Sequence, residues 1–226
     1  MTPLDSQTLR KYFDESTKSS DKWEPYFEIY DRHLRRFILR KNVHLVEVGV
    51  QSGGSLEMWS QYLPKDFLIT GIDIDPNCAD LKYNNRTDII IGDQGSESFW
   101  DEKLPFLGMI DIFIDDGGHF MDQQITTFEK VFPIMPINSV YICEDTHTSY
   151  MQYNGGGFRT KGSFVEYAKQ YVDVLHGTWI NELDTEFERK KKLAIDLTSI
   201  HFYDSMVVFE KFGKKEMTRV SPKQFS

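Results

Sequence analysis

Acidic side chains follow two short apolar runs of this sequence, at the point where each run stops. Both runs, residues 110–114 and 140–143, have the length and β-branched content of buried strands. The acids that follow them are Asp115, Asp116, Glu144 and Asp145. If the two strands are neighbours in a parallel sheet, these carboxylates meet at one edge and repel one another unless a cation compensates them. Such oxygen ligands favour a hard divalent cation, with His119 nearby as a base.

A third apolar run, residues 45–48, includes the acid Glu47 and is followed by a glycine-bearing turn and a predicted helix that begins at Ser55. Strand, glycine turn and helix form the opening of a nucleotide-binding unit. An acid in the strand is unfavourable beside a pyrophosphate, which prefers a neutral turn, but suits a cofactor with positive groups. We therefore expect S-adenosylmethionine, whose sulfonium and ammonium are cations. The residues expected to bind it here are Glu47, Gly49, Gln51, Gly54 and Ser55.

Two further predicted strands also end in polar residues. Residues 68–72 are followed by Asp73, about 24 positions after Gly49, where an acid can bind the two hydroxyls of a ribose. Residues 89–91 are followed by Gly92 and then by Asp93 and Gln94, which we expect to border the adenine. The same sheet edge is thus predicted to hold both the cofactor and the cation.

The order of these elements predicts an α/β fold. Alternating strands and helices indicate a doubly wound, Rossmann-like parallel sheet, and residues 197–203 and 206–212 are predicted to form a C-terminal antiparallel hairpin. Such a mostly parallel, seven-stranded sheet is the arrangement of class I methyltransferases. Helices are expected over residues 23–40, 123–132 and 163–175 and a helix or loop over 186–192. The expected organisation is an N-terminal helical segment (1–40), a methyltransferase domain (41–212) and a basic tail (213–226), with residues 151–162 as a candidate lid.

Composition narrows the class of partner. The formal net charge is −9, from 26 basic and 35 acidic residues, which argues against nucleic acid. No apolar run approaches the roughly 20 residues needed to span a bilayer, and no signal-peptide pattern is seen, so no membrane partner is expected. The two cysteines, Cys78 and Cys143, do not form a disulfide framework, and we expect a cytoplasmic protein, with a homo-oligomer possible in principle.

The motifs also resemble those of a known group, the metal-dependent sugar O-methyltransferases of the macrocin and mycinamicin type, related to the cephalosporin hydroxylase-like proteins. The segments that match are E-V-G-V-Q-S-G-G-S-L, G-I-D-I-D, G-D-Q, I-D-D-G-G-H and E-D-T-H-T-S-Y, together with S-D-K-W-E-P-Y-F-E-I-Y before the sheet and I-H-F-Y-D-S-M-V-V-F-E-K at its end. The resemblance extends over roughly residues 20–211.

This resemblance implies a division of roles among the predicted site residues. The magnesium ligands implied are Asp116, Glu144 and Asp145. His119 is implied to be the general base, so that His119 and Asp116 form the catalytic pair. The S-adenosylmethionine pocket would include Glu47, Gly49, Asp73, Asp93 and Gln94, with Asp115 in support.

The acceptor is the least defined part of the prediction. We expect a sugar hydroxyl of a glycoside, nucleotide-sugar or glycan, and macrolides are not carried over because the antibiotic-tailoring members have a larger N-terminal portion. Within the same chemistry, a catechol-type or other small-molecule O-methyltransferase is an alternative, because it also pairs Mg²⁺ with neighbouring hydroxyls. A nicotinamide-dependent oxidoreductase and a non-catalytic binding module are the alternatives from other classes.

Overall fold

A seven-stranded sheet forms the centre of the protein. A computed structural model describes residues 6–83, 86–181, 184–213, 215 and 217–219. The strands are β1 His44–Val48, β2 Leu68–Asp73, β3 Thr87–Ile91, β4 Ile112–Asp115, β5 Ser139–Cys143, β6 Ser199–Tyr203 and β7 Met206–Lys211. Their order across the sheet is β3-β2-β1-β4-β5-β7-β6. The first five strands are parallel, and β7 runs antiparallel to both β5 and β6, as the sequence predicts.

The register of the sheet brings the predicted acids together. In the parallel pair β4 and β5, Asp115 lies opposite Cys143, so Asp116 and Glu144 follow directly at the same edge. In the pair β1 and β4, Val48 lies opposite Asp115, which places the glycine turn beside them. The chain runs outward from β1 in one direction through β2 and β3, and in the other through β4 and β5. The crevice at this reversal of direction is where open α/β sheets bind ligands.

Helices cover both faces of the sheet. They are α1 Ser6–Asp14, α2 Tyr26–Leu34, α3 Gly54–Tyr62, α4 Glu97–Leu107, α5 Met121–Val131, α6 Phe164–Lys169, α7 Tyr171–Leu175 and α8 Thr185–Leu193. On one face α1, α2 and α3 pack on Leu45 and Ile69, and on the other α5, α6 and α7 pack on Val46 and Phe113. Because successive strand residues point to opposite faces, β1 contributes to both cores.

The helical predictions differ from the structure at three points. The helix predicted over residues 23–40 is α2 over Tyr26–Leu34 followed by a 3₁₀ turn over Arg35–Phe37, where the backbone tightens and Ile38 N donates to Arg35 O. Helix α4 was not predicted because it buries only Trp100 and Leu107 and contains Pro105, so its apolar spacing is too sparse to show a period. The single helix predicted over 163–175 is two helices, because the backbone tightens at Gln170, whose N–H donates to Tyr167 O three residues earlier. The predicted helix over 186–192 is α8, and most of the predicted basic tail lies outside the described residues.

The segment before the sheet reaches the crevice. Residues 15–25, which join α1 to α2, are called the connecting segment below. It is attached to α3 by hydrogen bonds, including those from Thr17 and Lys18 to Glu57 and from Gly54 N to Ser19 O. These contacts are polar rather than apolar. They direct the second half of the connecting segment toward the carboxyl ends of β1, β4 and β5.

Candidate active site

An acidic cleft of about 830 Å³ opens at the carboxyl ends of β1, β4 and β5. Among the described residues that line it, the acids are Asp21, Asp73, Asp75, Asp93, Asp116, Glu144 and Asp145. Lys22 is the lysine of this lining, and no arginine contributes to it. Since seven carboxyl groups face one lysine, the cleft favours cationic ligands and disfavours a diphosphate.

Glu47 lies behind the lining of this cleft, fully buried in β1. Its Oε2 accepts hydrogen bonds from Ser55 Oγ and Trp59 Nε1, both at 3.0 Å. Its Oε1 is buried without a hydrogen-bond partner and lies 3.5 Å from Lys22 Nζ. Burial raises the pKa of Glu47 to about 7, although the Lys22 ammonium lowers it. A buried carboxylate oxygen of this kind has the capacity to bind one more cationic group.

The glycine turn after β1 is shaped by Asp73. Its Oδ2 accepts hydrogen bonds from the backbone N–H groups of Val50 at 2.8 Å and Gln51 at 3.0 Å. Gly49 has φ +93°, and a side chain there would collide with the carbonyl oxygen of Asp116, so only glycine lets the two strand ends approach. The turn and the acid-bearing loop after β4 therefore pack against each other with no side chain between them.

Buried hydrogen bonds hold the loop after β4. Gln94 Oε1 accepts from Gly118 N at 2.8 Å, and its Nε2 donates to Asp115 Oδ1 at 2.8 Å. Asp115 is fully buried and also accepts from Tyr141 at 3.1 Å; burial raises its pKa to about 6, although these hydrogen bonds lower it. Asp93 lines the cleft next to this loop. Asp115 thus supports the loop from behind.

Lys22 of the connecting segment lies between the strand ends. Its ammonium, 1% exposed, forms an ion pair with Asp116 Oδ2 and another with Glu144 Oε2 at 2.9 Å. Glu144 Oε1 accepts a hydrogen bond from Tyr30 Oη at 2.5 Å. Burial raises the pKa of both Asp116 and Glu144, and the charge of Lys22 acts against that rise. Both oxygens of Glu144 are therefore engaged by residues that precede the sheet.

Asp145 and His119 complete the group. Asp145 Oδ1 accepts from Tyr26 Oη at 2.7 Å and from Trp23 Nε1 at 3.1 Å, whereas Oδ2 faces His119 Nε2 at 3.5 Å. His119 Nε2 also lies 3.9 Å from Asp116 Oδ1. His119 and Asp145 both have left-handed backbone conformations, with φ of 57° and 51°. Non-glycine residues held in this region are strained, and such strain is concentrated at functional sites.

The structure separates the predicted residues into two groups. Those that line the cleft are Gly49, Gln51, Asp73, Asp93, Gln94, Asp116, His119, Glu144 and Asp145. Those outside that lining are Glu47, Gly54, Ser55 and Asp115. Ser55 donates a hydrogen bond to Glu47. Gly54 is buried against the backbone of Lys18 and Ser19, where a side chain would not fit. The candidate lid is tied to the site by a hydrogen bond from Asn154 Nδ2 to His119 O at 3.3 Å.

Sequence reasoning missed the residues that precede the sheet. The helical spacing of residues 23–40 predicts a packing face, and Tyr26 and Tyr30 do lie on the buried face of α2. Their hydroxyl groups reach Asp145 and Glu144 from that face, about 115 to 120 positions away in sequence. The available signal was the matched segment S-D-K-W-E-P-Y, in which Lys22 is a lone base beside acids.

A divalent cation fits the donor set. Asp116, His119 and Asp145 each offer one ligand atom within 4.8 Å of the others. Asp116 Oδ1 and Asp145 Oδ2 face this point, and their second oxygens are bonded elsewhere. Asp116, Glu144 and Asp145 carry three negative charges, and Lys22 carries one positive charge, so a divalent cation would compensate the excess. Carboxylate oxygens are also the ligands that Mg²⁺ prefers.

A methyl donor with cationic groups also fits the cleft. A sulfonium compound joined to adenosine suits the acids of the lining, the bare backbone at Gly49 and the buried Glu47 oxygen that accepts no hydrogen bond. Together, the topology and the crevice define the class I methyltransferase fold.

Comparison with known proteins agrees with this fold. No protein-family model matches the chain. The chain is 32% identical to the 8-demethyl-8-alpha-L-rhamnosyl tetracenomycin-C 2′-O-methyltransferase of Streptomyces olivaceus, over 85% of this chain and 52% of that protein. It is 32% identical to the L-olivosyl-oleandolide 3-O-methyltransferase of Streptomyces antibioticus, over 90% of this chain and 53% of that protein. The curated homologues are thus sugar O-methyltransferases, of which this chain spans about half the length.

A solved structure shows the same relationship. The chain superimposes on the MycE methyltransferase of the mycinamycin biosynthetic pathway, in complex with Mg, S-adenosylhomocysteine and mycinamycin VI, with a TM-score of 0.78. The two sequences are 26% identical, and the match covers 99% of this chain and 58% of that one. Within the part of the chain that the structure describes, no helix is long and apolar enough to cross a membrane.

Proposed function

We propose that this protein is an S-adenosylmethionine- and Mg²⁺-dependent O-methyltransferase that acts on a hydroxyl group of a sugar. The observation that supports this most strongly is the pairing of a buried Glu47 oxygen behind the cleft, which accepts no hydrogen bond, with the open oxygens of Asp116 and Asp145 beside His119. The first suits a cationic methyl donor, and the second suits a divalent cation and its bound hydroxyl.

The donor side of the cleft is formed by β1, β2 and β3. Glu47, buried behind the cleft lining, would attract the positive amino acid part of the donor. Asp73, at the end of β2, would bind the ribose hydroxyls while its Oδ2 keeps the turn in shape. Asp93 and Gln94, after β3, would border the adenine. Each of these residues is set by the end of a strand, so the site is largely preformed.

The acceptor side is formed by the loops after β4 and β5. Asp116 and Asp145, with Glu144, would hold Mg²⁺, which when bound lowers the pKa of an acceptor hydroxyl and fixes its direction. A hydroxyl held near Asp116 Oδ1 and Asp145 Oδ2 lies beside His119 Nε2, which would accept its proton. The oxygen then forms a bond to the methyl carbon as the carbon–sulfur bond breaks, and the electron pair of that bond stays on the sulfur.

The proposed acceptor class is a glycoside, nucleotide-sugar or glycan end. The curated homologues are named for transfer to sugars, and the cleft is polar and open enough to admit a sugar beside the donor. A vicinal diol would present two oxygens to the cation, which favours a sugar over an isolated alcohol.

The experiment that tests this proposal measures methyl transfer. The full chain is incubated with S-adenosylmethionine, Mg²⁺ and a panel of glycosides, nucleotide-sugars and catechols, and formation of S-adenosylhomocysteine and of the methylated product is followed by mass spectrometry. We expect a methylated sugar whose formation stops in excess EDTA and resumes when Mg²⁺ is restored. Methylation that persists in EDTA would contradict the metal role, and preferential methylation of catechols would contradict the sugar.

A further inference from the structure

Every carboxylate at the proposed metal site has at least one oxygen held by the stretch that precedes the sheet. Lys22 binds one oxygen of Asp116 and one of Glu144. Tyr30 binds the other oxygen of Glu144, and Tyr26 and Trp23 bind Oδ1 of Asp145. We call these four residues, Lys22, Trp23, Tyr26 and Tyr30, the carboxylate-holding group.

This arrangement restricts how the carboxylates can bind a cation. Asp116 presents Oδ1 toward His119, and Asp145 presents Oδ2, because their second oxygens are occupied. A carboxylate with one oxygen held by a strong donor turns its other oxygen toward a metal, and the hydrogen bond disfavours bidentate binding. Lys22 is the charged member of the group and bonds two of the three carboxylates, so it has the largest part in this restriction.

Coordination number differs between the two common hard divalent cations. Ca²⁺ takes six to eight oxygens at about 2.3–2.6 Å and often binds both oxygens of a carboxylate. Mg²⁺ is smaller and requires an octahedron of single oxygens at about 2.0–2.1 Å, several of them from water. A site in which Asp116 and Asp145 each present one open oxygen, while both oxygens of Glu144 accept hydrogen bonds, therefore suits Mg²⁺.

We propose that Lys22 is a positioning residue that makes the site selective for Mg²⁺ over Ca²⁺ by disfavouring bidentate coordination through Asp116, whose Oδ2 it holds. This inference rests on the proposed metal site but assigns a role to a residue outside the ligand set. Lys22 is placed for that role by its burial at 1% exposure and by the connecting segment, which enters the cleft between the ends of β1, β4 and β5.

The test compares the affinities of the full chain for MgCl₂ and CaCl₂ by calorimetry, so that no acceptor is needed. In Lys22→Met, which keeps the length of the side chain but loses the ammonium, we expect the ratio of Ca²⁺ to Mg²⁺ affinity to rise about tenfold relative to the wild type. Lys18→Met is the matched control. Lys18 pairs with Glu57 in the same connecting segment, away from the metal-site carboxylates, and its loss should leave the ratio unchanged.

Two further variants keep the outcome decisive. Lys22→Arg retains several donors for the two carboxylates and should preserve the wild-type ratio, whereas Lys22→Gln, which keeps an uncharged amide donor, should shift it part of the way. An unchanged ratio in Lys22→Met or Lys22→Gln, with Mg²⁺ still bound, would overturn the role of Lys22 and leave the metal site standing. A wild-type chain that binds neither cation would overturn the metal part of the proposed function and this inference together.

Discussion

Two buried polar clusters on the same sheet differ in how their charges are balanced. The acidic cluster consists of Lys22, Glu47, Asp116, His119, Glu144 and Asp145. The Glu210 cluster consists of His33, Arg36, Ser199, His201 and Glu210. Both contain groups of side chains whose spacing is compatible with a metal ion. Only one of them has the charge expected of such a site.

In the Glu210 cluster, one carboxylate is surrounded by donors. Oε1 lies 2.7 Å from His33 Nδ1 and 2.9 Å from Arg36 Nη1, and Oε2 accepts from Ser199 Oγ at 2.8 Å. Burial alone would raise the pKa of Glu210, but these hydrogen bonds outweigh it and lower the pKa to about 2. The adjacent guanidinium repels cations. This cluster is therefore suited to stabilising the fold, where β7 meets α2.

In the acidic cluster, carboxylates outnumber the cationic groups, because four carboxylates lie around the single ammonium of Lys22. Burial raises the pKa of Glu47, Asp116 and Glu144, which means that their ionised forms are unfavourable in the folded chain. A cluster that weakens the fold in this way is a candidate ligand site. The comparison teaches that spacing alone does not distinguish the two clusters, whereas their balance of charge does.

The largest expected difference between the clusters is in catalysis. Asp116→Asn should lower the rate of methyl transfer on the order of 10³-fold, because it removes an anionic oxygen from the point where the hydroxyl is activated. Glu210→Gln, at the other cluster, should leave the rate unchanged. Both rates are measured as methylated product per time at saturating acceptor, and equal losses in the two variants would break the distinction.

A matched pair of histidines gives the next effect. His119→Ala should lower kcat about 10²-fold, since proton transfer by a positioned side chain contributes at that level. Its affinity for S-adenosylhomocysteine, measured by calorimetry, should not change. His201→Ala, in the Glu210 cluster, should alter neither quantity. If His119→Ala is fully active, another group accepts the proton.

For the free energy of unfolding, we expect the larger effect from the substitution in the Glu210 cluster. Glu210→Gln should lower the free energy of unfolding by about 2 kcal/mol, since hydrogen bonds to a charged group are lost. Asp116→Asn in metal-free buffer should not lower it, because the ionised carboxylate is unfavourable in the folded state. Urea denaturation followed by tryptophan fluorescence measures both. A marked loss of stability in Asp116→Asn would show that this carboxylate stabilises the fold.

The smallest expected effect is in the pH dependence of metal-free unfolding. The pKa of Glu210 is lowered from 4.5 to about 2, so the unfolded chain binds more protons in that window and this contribution to stability is lost as the pH falls through it. The pKa of Glu47 is raised from 4.5 to about 7, so the folded chain binds more protons and stability falls as the pH rises across that window. The free energy of unfolding is measured at several pH values for the wild type and the two variants. Glu210→Gln should remove its dependence on pH between about 2 and 4.5, and Glu47→Gln should remove its dependence between 4.5 and about 7. An unchanged pH dependence in either variant would refute that assignment.

The sequence was sufficient for the sheet and for one side of the site. Strand positions follow from short apolar runs, and parallel pairing of β4 and β5 is enough to bring Asp116 beside Glu144. The glycine turn is also predicted from local pattern, and the structure gives its reason, since Gly49 allows the close approach of its backbone to that of Asp116.

The other side of the site depends on contacts that no local pattern records. Lys22 reaches Asp116 across 94 positions and Glu144 across 122, and the apolar spacing of α2 gives no sign that Tyr30 has a polar partner. The open or occupied state of each carboxylate oxygen depends on these long-range contacts. Charge balance within the cluster could not be predicted without them.

The central claim is that the acidic cluster binds a cationic methyl donor beside a divalent cation. Calorimetry of the full chain with S-adenosylhomocysteine, in the presence and absence of Mg²⁺, tests it most directly, with NADH as the competing ligand and Glu47→Gln as the variant. We predict saturable one-to-one binding of S-adenosylhomocysteine that Glu47→Gln weakens, and no binding of NADH. Binding of NADH without any heat from S-adenosylhomocysteine at high protein concentration would contradict the account.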